Sequence, residues 1–142
     1  MKLKRQKLPR LYTDRLQVRL LEPHEADLMV RFRDENRDHL EPWEPLRRPD
    51  FYTEGFWEVH LRWTLRDFRE GASACFVLLS PSDDEVLGVC NYTNIVRGTF
   101  QSCQLGYALA AKHQHKGVMF EALSLTNTYM FDDLGLHRIM AG

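Results

Sequence analysis

The run Gln114-His115-Lys116-Gly117-Val118-Met119 has the residue types of an anion-binding turn. It follows the strand-like stretch Thr99 to Ala110 and opens a helix-like stretch beginning near Val118. A helix start leaves backbone N–H groups unpaired and carries partial positive charge. A tight loop entering such a start can wrap a phosphate or pyrophosphate. Gly117 lets the backbone approach closely, and Lys116 adds a cation. Two familiar phosphate loops are excluded. Lys116 precedes Gly117 and no hydroxyl follows, so the Gly-x-x-x-x-Gly-Lys-Ser/Thr pattern is absent, and a single glycine cannot make the three-glycine dinucleotide fingerprint. His113 and His115 offer two imidazoles without a third or fourth ligand nearby in sequence, so no metal centre is expected.

These residues need elements to position them. Arg15-Leu16-Gln17-Val18-Arg19-Leu20 alternates polar and apolar residues, the pattern of a half-buried strand. Glu22-Pro23 opens a helix with Ala26, Leu28, Met29 and Phe32 as inner residues. The charged stretch from Asp34 to Asp50, with Pro42, Pro45 and Pro49, reads as a helical turn followed by an irregular loop. A second helix begins after Thr53 as N-cap, repeats Trp57, Leu61, Leu65 and Phe68 inward, and stops at Gly71. Ala74 to Leu79, Val86 to Ile95 and Thr99 to Ala110 then read as an antiparallel meander. A third helix spans Val118 to Phe131, Asp132-Asp133-Leu134-Gly135 breaks it, and Leu136 to Ala141 begins another strand. Tyr92, Tyr107, Trp57 and Trp63 read as packing residues. The order predicts an α/β or α+β fold with a mixed sheet. A strand after a crossover helix should lie inside a sheet, so the chain is expected to be a fragment of a longer protein.

The 142 residues, 44% hydrophobic and 27% charged, suit one domain and exclude disorder as the main state. No apolar run reaches the roughly 18 residues needed to span a bilayer, so no membrane partner is expected. Residues 1–10 carry five cations and no acid, leaving 14 Lys and Arg against 20 Asp and Glu in the remainder. Residues 1–12 are therefore assigned as a basic tail, solvated or in contact with a ribosome or RNA, ahead of a domain over 13–142. Cys75, Cys90 and Cys103 fit neither a disulfide framework nor a zinc site, which points to buried free thiols in a reducing cytoplasm.

The loop also matches something more specific. Gln114-x-x-Gly117-x-Met119, after a strand and opening a helix, resembles the acetyl-CoA loop of the GNAT acetyltransferases. Leu105-Gly106-Tyr107-Ala108-Leu109 resembles that family's fourth strand. Glu35-Asn36-Arg37-x-x-Leu40-x-Pro42-Trp43-Glu44-Pro45, Asn91-x-x-Asn94-x-Val96-Arg97-Gly98, Met119-Phe120-Glu121-Ala122-Leu123 and the opening Thr13-Asp14-Arg15-Leu16 are similar to segments of the RimJ/RimL group, nearest its RimJ branch. Met119, His115 and His113 depart from the usual small residue, glycine and aromatic at their positions.

The resemblance implies a mostly antiparallel GNAT-like sheet flanked by helices, with the C-terminal helix and last strands, and their Asn and Tyr, missing. It implies acetyl-CoA as co-substrate, no metal, and direct transfer of acetyl to the N-terminal alanine amine of a small-subunit ribosomal protein. The N–H groups of His115, Lys116, Gly117, Val118 and Met119 would hold the pyrophosphate. The Leu109 backbone would pair with the pantetheine arm, and Gln114 would anchor the loop. Glu35 and Glu44 are candidate bases or ammonium holders, with solvated loop carboxylates as the competing reading. Trp43 would wall the acceptor pocket. Asn36, Arg37 and Asn91 would bind the acceptor backbone, or serve as local turn and cap residues. Glu121, in the first helical turn, reads as structural. Two alternatives stand beside this: a RimJ/RimL-group transferase for another amine, and a GNAT-fold fragment without activity.

Overall fold

The structure is a computed structural model and describes residues 8–141. Six strands form one sheet in sequence order: β1 (Arg10–Tyr12), β2 (Gln17–Arg19), β3 (Ala74–Leu79), β4 (Val86–Val96), β5 (Ser102–Leu109) and β6 (Arg138–Ala141). All neighbours are antiparallel except β5 and β6, which run parallel. The helices are α1 (Ala26–Glu35), α2 (Arg37–Leu40), α3 (Glu54–Arg69) and α4 (Val118–Thr128). The expected mixed, mostly antiparallel sheet flanked by helices is thus present.

Alternation along β3 splits the core in two. Phe76 and Leu78 join Cys90, Tyr92 and Leu105 under Val118, Ala122 and Met130. Val77 and Leu79 join Val86 and Val89 under Met29 and Phe32 of α1 and Trp57 and Leu61 of α3. Strand residues point alternately to opposite faces, so one strand feeds both layers. Thr53 caps α3 by accepting the Phe56 N–H at 3.3 Å. Gly71 ends it at φ +76°, with the Gly71 N–H donating to Phe68 and the Ala72 N–H to Asp67. That double bond pattern is the Schellman stop, which needs the left-handed residue glycine tolerates best.

Three expectations change. Arg10–Tyr12 is a strand paired with β2, so the assigned tail does not extend to residue 12; residues 1–7 lie outside the described residues. With β1 and β3 on its flanks, β2 is buried at all three positions rather than half-buried. Its Arg19 can be buried because Nη1 and Nη2 donate to Glu25 at 2.8 and 2.6 Å, and Nη2 to Asp83 at 2.8 Å. The third helix leaves α geometry after Thr128 and finishes as a π turn over Tyr129–Asp133.

Burial fades along β5. Ser102, Cys103 and Leu105 are covered, whereas Gly106 and Tyr107 are exposed. Among the described residues β6 pairs only with Ser102–Leu105, which leaves Gly106–Leu109 without a partner on that edge. On the other edge the strand lies tight against β4: a Cβ on Gly88 would sit 2.5 Å from the Ala108 carbonyl oxygen. Only glycine permits that approach.

Candidate active site

After β5 the chain makes a single 3-10 turn, Ala111–His113, then the loop Gln114–Gly117, and enters α4. Two residues of the loop are left-handed, His115 at φ 62° and Gly117 at φ 74°. Among the described residues, no acceptor meets the N–H groups of His115 through Phe120; the Glu121 N–H is the first to find a helical partner, the Gly117 carbonyl at 3.0 Å. The result is a row of unpaired donors at the positive end of a helix, the arrangement that holds a phosphate.

Three residues, from the start of the chain and the first helices, keep the turn in place. Arg15 donates from Nη1 to the Lys116 carbonyl at 2.9 Å and from Nε to Glu121 at 3.1 Å. The Thr13 hydroxyl also donates to Glu121, and these bonds hold the Glu121 carboxyl below its ordinary value. Glu121 is therefore structural, as expected, but through a clamp on the loop. From the other side the buried Asn36 accepts the Ala111 N–H at 2.9 Å while its amide donates to the Phe32 carbonyl at 2.9 Å.

The loop opens on a cleft of about 430 Å³ lined by Leu109, Gln114, His115 and Met119 on one side and by His39, Trp43 and Glu44 on the other. A second cleft of about 550 Å³ continues from it along the unpaired half of β5, sharing Trp43, Glu44, Tyr107 and Ala108 and adding Arg33, Arg47 and Asn91. Glu44 is fixed there. Arg33 Nη1 donates to both carboxylate oxygens, at 3.0 and 3.1 Å, and Arg47 Nη2 lies 3.7 Å away. Both guanidiniums rest on the Phe51 ring, at 5.2 and 4.6 Å from its centre.

The candidate residues thus separate. Leu109, Gln114, His115, Met119, Trp43, Glu44 and Asn91 line the joined clefts. Lys116 is exposed with its carbonyl held by Arg15, and Val118 sends its side chain into the core while its N–H stays unpaired. Glu35 is exposed and lines neither cleft. Asn36 has the local structural role among its two readings: its carbonyl oxygen and amide latch α1 to the loop. Arg37 is exposed and stacks on Tyr52, 4.2 Å from the ring centre, outside both clefts. Tyr107 is a correction, an exposed cleft residue rather than a packing one, whereas Tyr92 is buried with its hydroxyl 2.7 Å from Thr126 Oγ1.

Sequence reasoning did not single out Arg33, Arg47 or the clamping role of Arg15. For Arg33 a signal existed. It falls on the buried stripe of α1 with Ala26 and Met29, and a charge on an apolar stripe requires a partner. Arg47 carried no such mark among the charges of its loop.

The fit to coenzyme A rests on two features of this geometry: unpaired N–H groups for a diphosphate, and an edge of β5, Gly106 to Leu109, that is free of a strand partner among the described residues and suits an amide-bearing arm. Comparison with known proteins agrees. The acetyltransferase (GNAT) domain model matches residues 15–142. The chain is 41% identical over 132 residues to the [ribosomal protein uS5]-alanine N-acetyltransferase of Escherichia coli, covering 93% of this chain and 68% of that protein. The crystal structure of the ribosomal-protein-S5-alanine acetyltransferase from Vibrio fischeri superposes with a TM-score of 0.90 at 32% identity, over 94% of this chain and 73% of that one. Mycobacterium smegmatis RimJ, solved in complex with CoA-disulfide, gives 0.81 at 26% identity, over 94% and 66%. The turn, the free strand edge and these likenesses lead to one conclusion: the chain belongs to the GNAT acetyltransferase family.

Proposed function

We propose that this protein transfers the acetyl group of acetyl-CoA to the N-terminal alanine amine of a small-subunit ribosomal protein of the uS5 kind. The observation that carries the reading is the opening of the unpaired N–H row and of Glu44 onto one continuous cleft. Kinship with the Escherichia coli and Vibrio fischeri enzymes supports the acceptor.

The N–H groups of His115, Lys116, Gly117, Val118 and Met119 take the diphosphate, and Lys116 adds charge beside it. The Leu109 backbone pairs with the pantetheine arm, Gln114 shapes the mouth of the loop, and free amides of β5 face the thioester carbonyl as an oxyanion hole would. The neutral amine attacks that carbonyl directly, forming the C–N bond and a tetrahedral oxyanion; collapse breaks the C–S bond and expels coenzyme A thiolate, and the proton lost from nitrogen passes through water to that sulfur to give the thiol.

The acceptor amine sets the demand on base chemistry. An α-amine with pKa near 7.7–8.0 costs only about 1 kcal/mol to deprotonate at pH 7, whereas a lysine near 10.4 costs roughly 4–5 kcal/mol. The smaller demand suits an α-amine acceptor, and Glu44, held by Arg33 through both carboxylate oxygens, offers it a fixed negative charge. It accepts hydrogen bonds from the incoming ammonium and orients it. Trp43 walls the approach, and Asn91 meets the acceptor backbone. Glu35 stands outside the cleft and takes no part in this scheme. A ribosomal-protein acceptor and three free thiols support a cytoplasmic setting for this reading. Among the described residues no helix is long and apolar enough to cross a membrane.

The test is a substrate panel read by mass spectrometry. An alanine-initiated peptide should gain one acetyl group on its α-amine and none on an internal lysine. Acetylation of small amines while that peptide stays unmodified would reject the assignment.

A further inference from the structure

Behind Glu44 lies a second, smaller cavity of about 210 Å³, between α1, α3 and the strands β3 and β4. It shares Arg33, Arg47, Val89 and Asn91 with the cleft that holds Glu44, so the two abut through the guanidinium pair. Its charge is unbalanced. Two guanidiniums face it, and among the described residues no carboxylate lines it. Glu44 on the outer side answers only one of the two positive charges. His60, also on its wall, does not change the sign, since burial first and the two arginines next lower its pKa and favour the neutral ring.

The guanidiniums also have donors to spare. The Arg33 side chain is 8% exposed, yet only its Nη1 meets an acceptor among the described residues, and Nε is sealed without one. Arg47 Nε is likewise buried without a partner. A buried charge normally has its hydrogen bonds met, because unmet donors in a low-dielectric setting are costly. Two like charges stacked on one phenylalanine, with one anion between them, leave room for a second anion. A carboxylate fits this setting, because it accepts several hydrogen bonds and brings the compensating charge. A neutral carbonyl would supply the first and not the second. About 210 Å³ holds roughly seven waters' worth of space at ~30 Å³ each, enough for an acidic side chain.

We infer that the Arg33–Arg47 cavity is a carboxylate subsite, which selects acceptor segments carrying an acidic side chain within the few residues after the reactive amine. This deepens the acetyl-transfer reading and rests on it for the position of the amine at Glu44. The polypeptide start enters with its ammonium toward Glu44, and its downstream carboxylate reaches past Asn91 to the two guanidiniums. Charge of opposite sign at the two ends sets both direction and register.

The test pairs binding with turnover. Alanine-initiated hexapeptides carrying a single Glu at the second, third or fourth residue are titrated calorimetrically into the full chain with coenzyme A present, each against its Gln counterpart. At one position at least, the Glu peptide should bind about tenfold tighter or more, the size of one charge-assisted contact. Arg47→Gln should bring that ratio to near one. Arg33→Lys, which keeps the charge for Glu44, serves where a neutral substitution would fail to fold, and should reduce the ratio without abolishing it. Equal binding across all three pairs, or no peptide binding, overturns the subsite. Mass spectrometry of the same mixtures separates this from the parent reading: Glu-selective binding without acetylation sinks the activity and keeps the subsite, whereas equal binding with acetylation does the reverse.

Discussion

The two sides of the cleft are built by different means. The side formed by β5, the 114–117 turn and α4 works with backbone: its donors are main-chain N–H groups, and the side chains of Gln114, His115 and Lys116 are exposed. The opposite side, from α1 to the start of α3, works with side-chain charge: a buried Arg33 with the half-buried Glu44 and Arg47 over Phe51. Backbone donors come with the conformation and cost nothing extra to order. A charge cluster must instead offset its own desolvation with fixed partners. The first side therefore tolerates change in side chains and fails when φ and ψ change. The second is most sensitive to loss of the buried charge, Arg33, and less so at the more exposed Arg47.

That contrast can be broken at three places. The largest effect is expected at Arg33. Arg33→Ala removes the only donor bonded to both Glu44 oxygens and empties a packed position, and should cost about 3 kcal/mol of unfolding free energy. Denaturant titration measures it, and a change within a few tenths would show that the cluster is not structural. Next comes Gly117. Gly117→Val forces a β-branched residue to φ 74°, a strain of about 1–2 kcal/mol or more. Coenzyme A affinity, measured calorimetrically, should fall about tenfold or more with the fold retained. Unchanged affinity would mean that the turn is not the diphosphate site.

The smallest effect sharpens the comparison by pH. Glu121 has its carboxyl held below its ordinary value of 4.5, first by the Thr13 hydroxyl and then by Arg15. A depressed carboxylate stabilises the folded state above its unfolded pKa, and that contribution is lost as pH falls through the lower folded value. Glu121→Gln should lower the thermal midpoint slightly at pH 7. The gap from the native chain should begin to narrow as pH falls past the ordinary carboxyl value of 4.5 and close below the lower folded value. A gap that persists in acid would show that the clamp does not depend on the Glu121 charge.

Legibility followed the same division. The 114–119 turn could be found from glycine, a strand before it and a helix after it, because those cues are local. Thr53 as an N-cap and Gly71 as a stop were legible for the same reason. The bond from Ala111 to Asn36 was not legible because the two residues lie 75 apart along the chain. The exposure of Tyr107 was not legible because whether a strand residue packs depends on which other elements cover it.

By itself the sequence determined most of the strands and helices and the caps at Thr53 and Gly71, though not β1 or the π turn, and it marked residues 114–119 as a candidate anion-binding turn between β5 and α4. These follow from short-range sterics and hydrophobic period, which act within a few residues. Only the tertiary structure decided that Glu44 faces that turn while Glu35 does not, that Arg33 and Arg47 share one ring and one carboxylate, and that Arg15 clamps the loop. Those relations depend on how separate elements pack, and a side chain's partners across that distance are chosen by the burial of the whole domain.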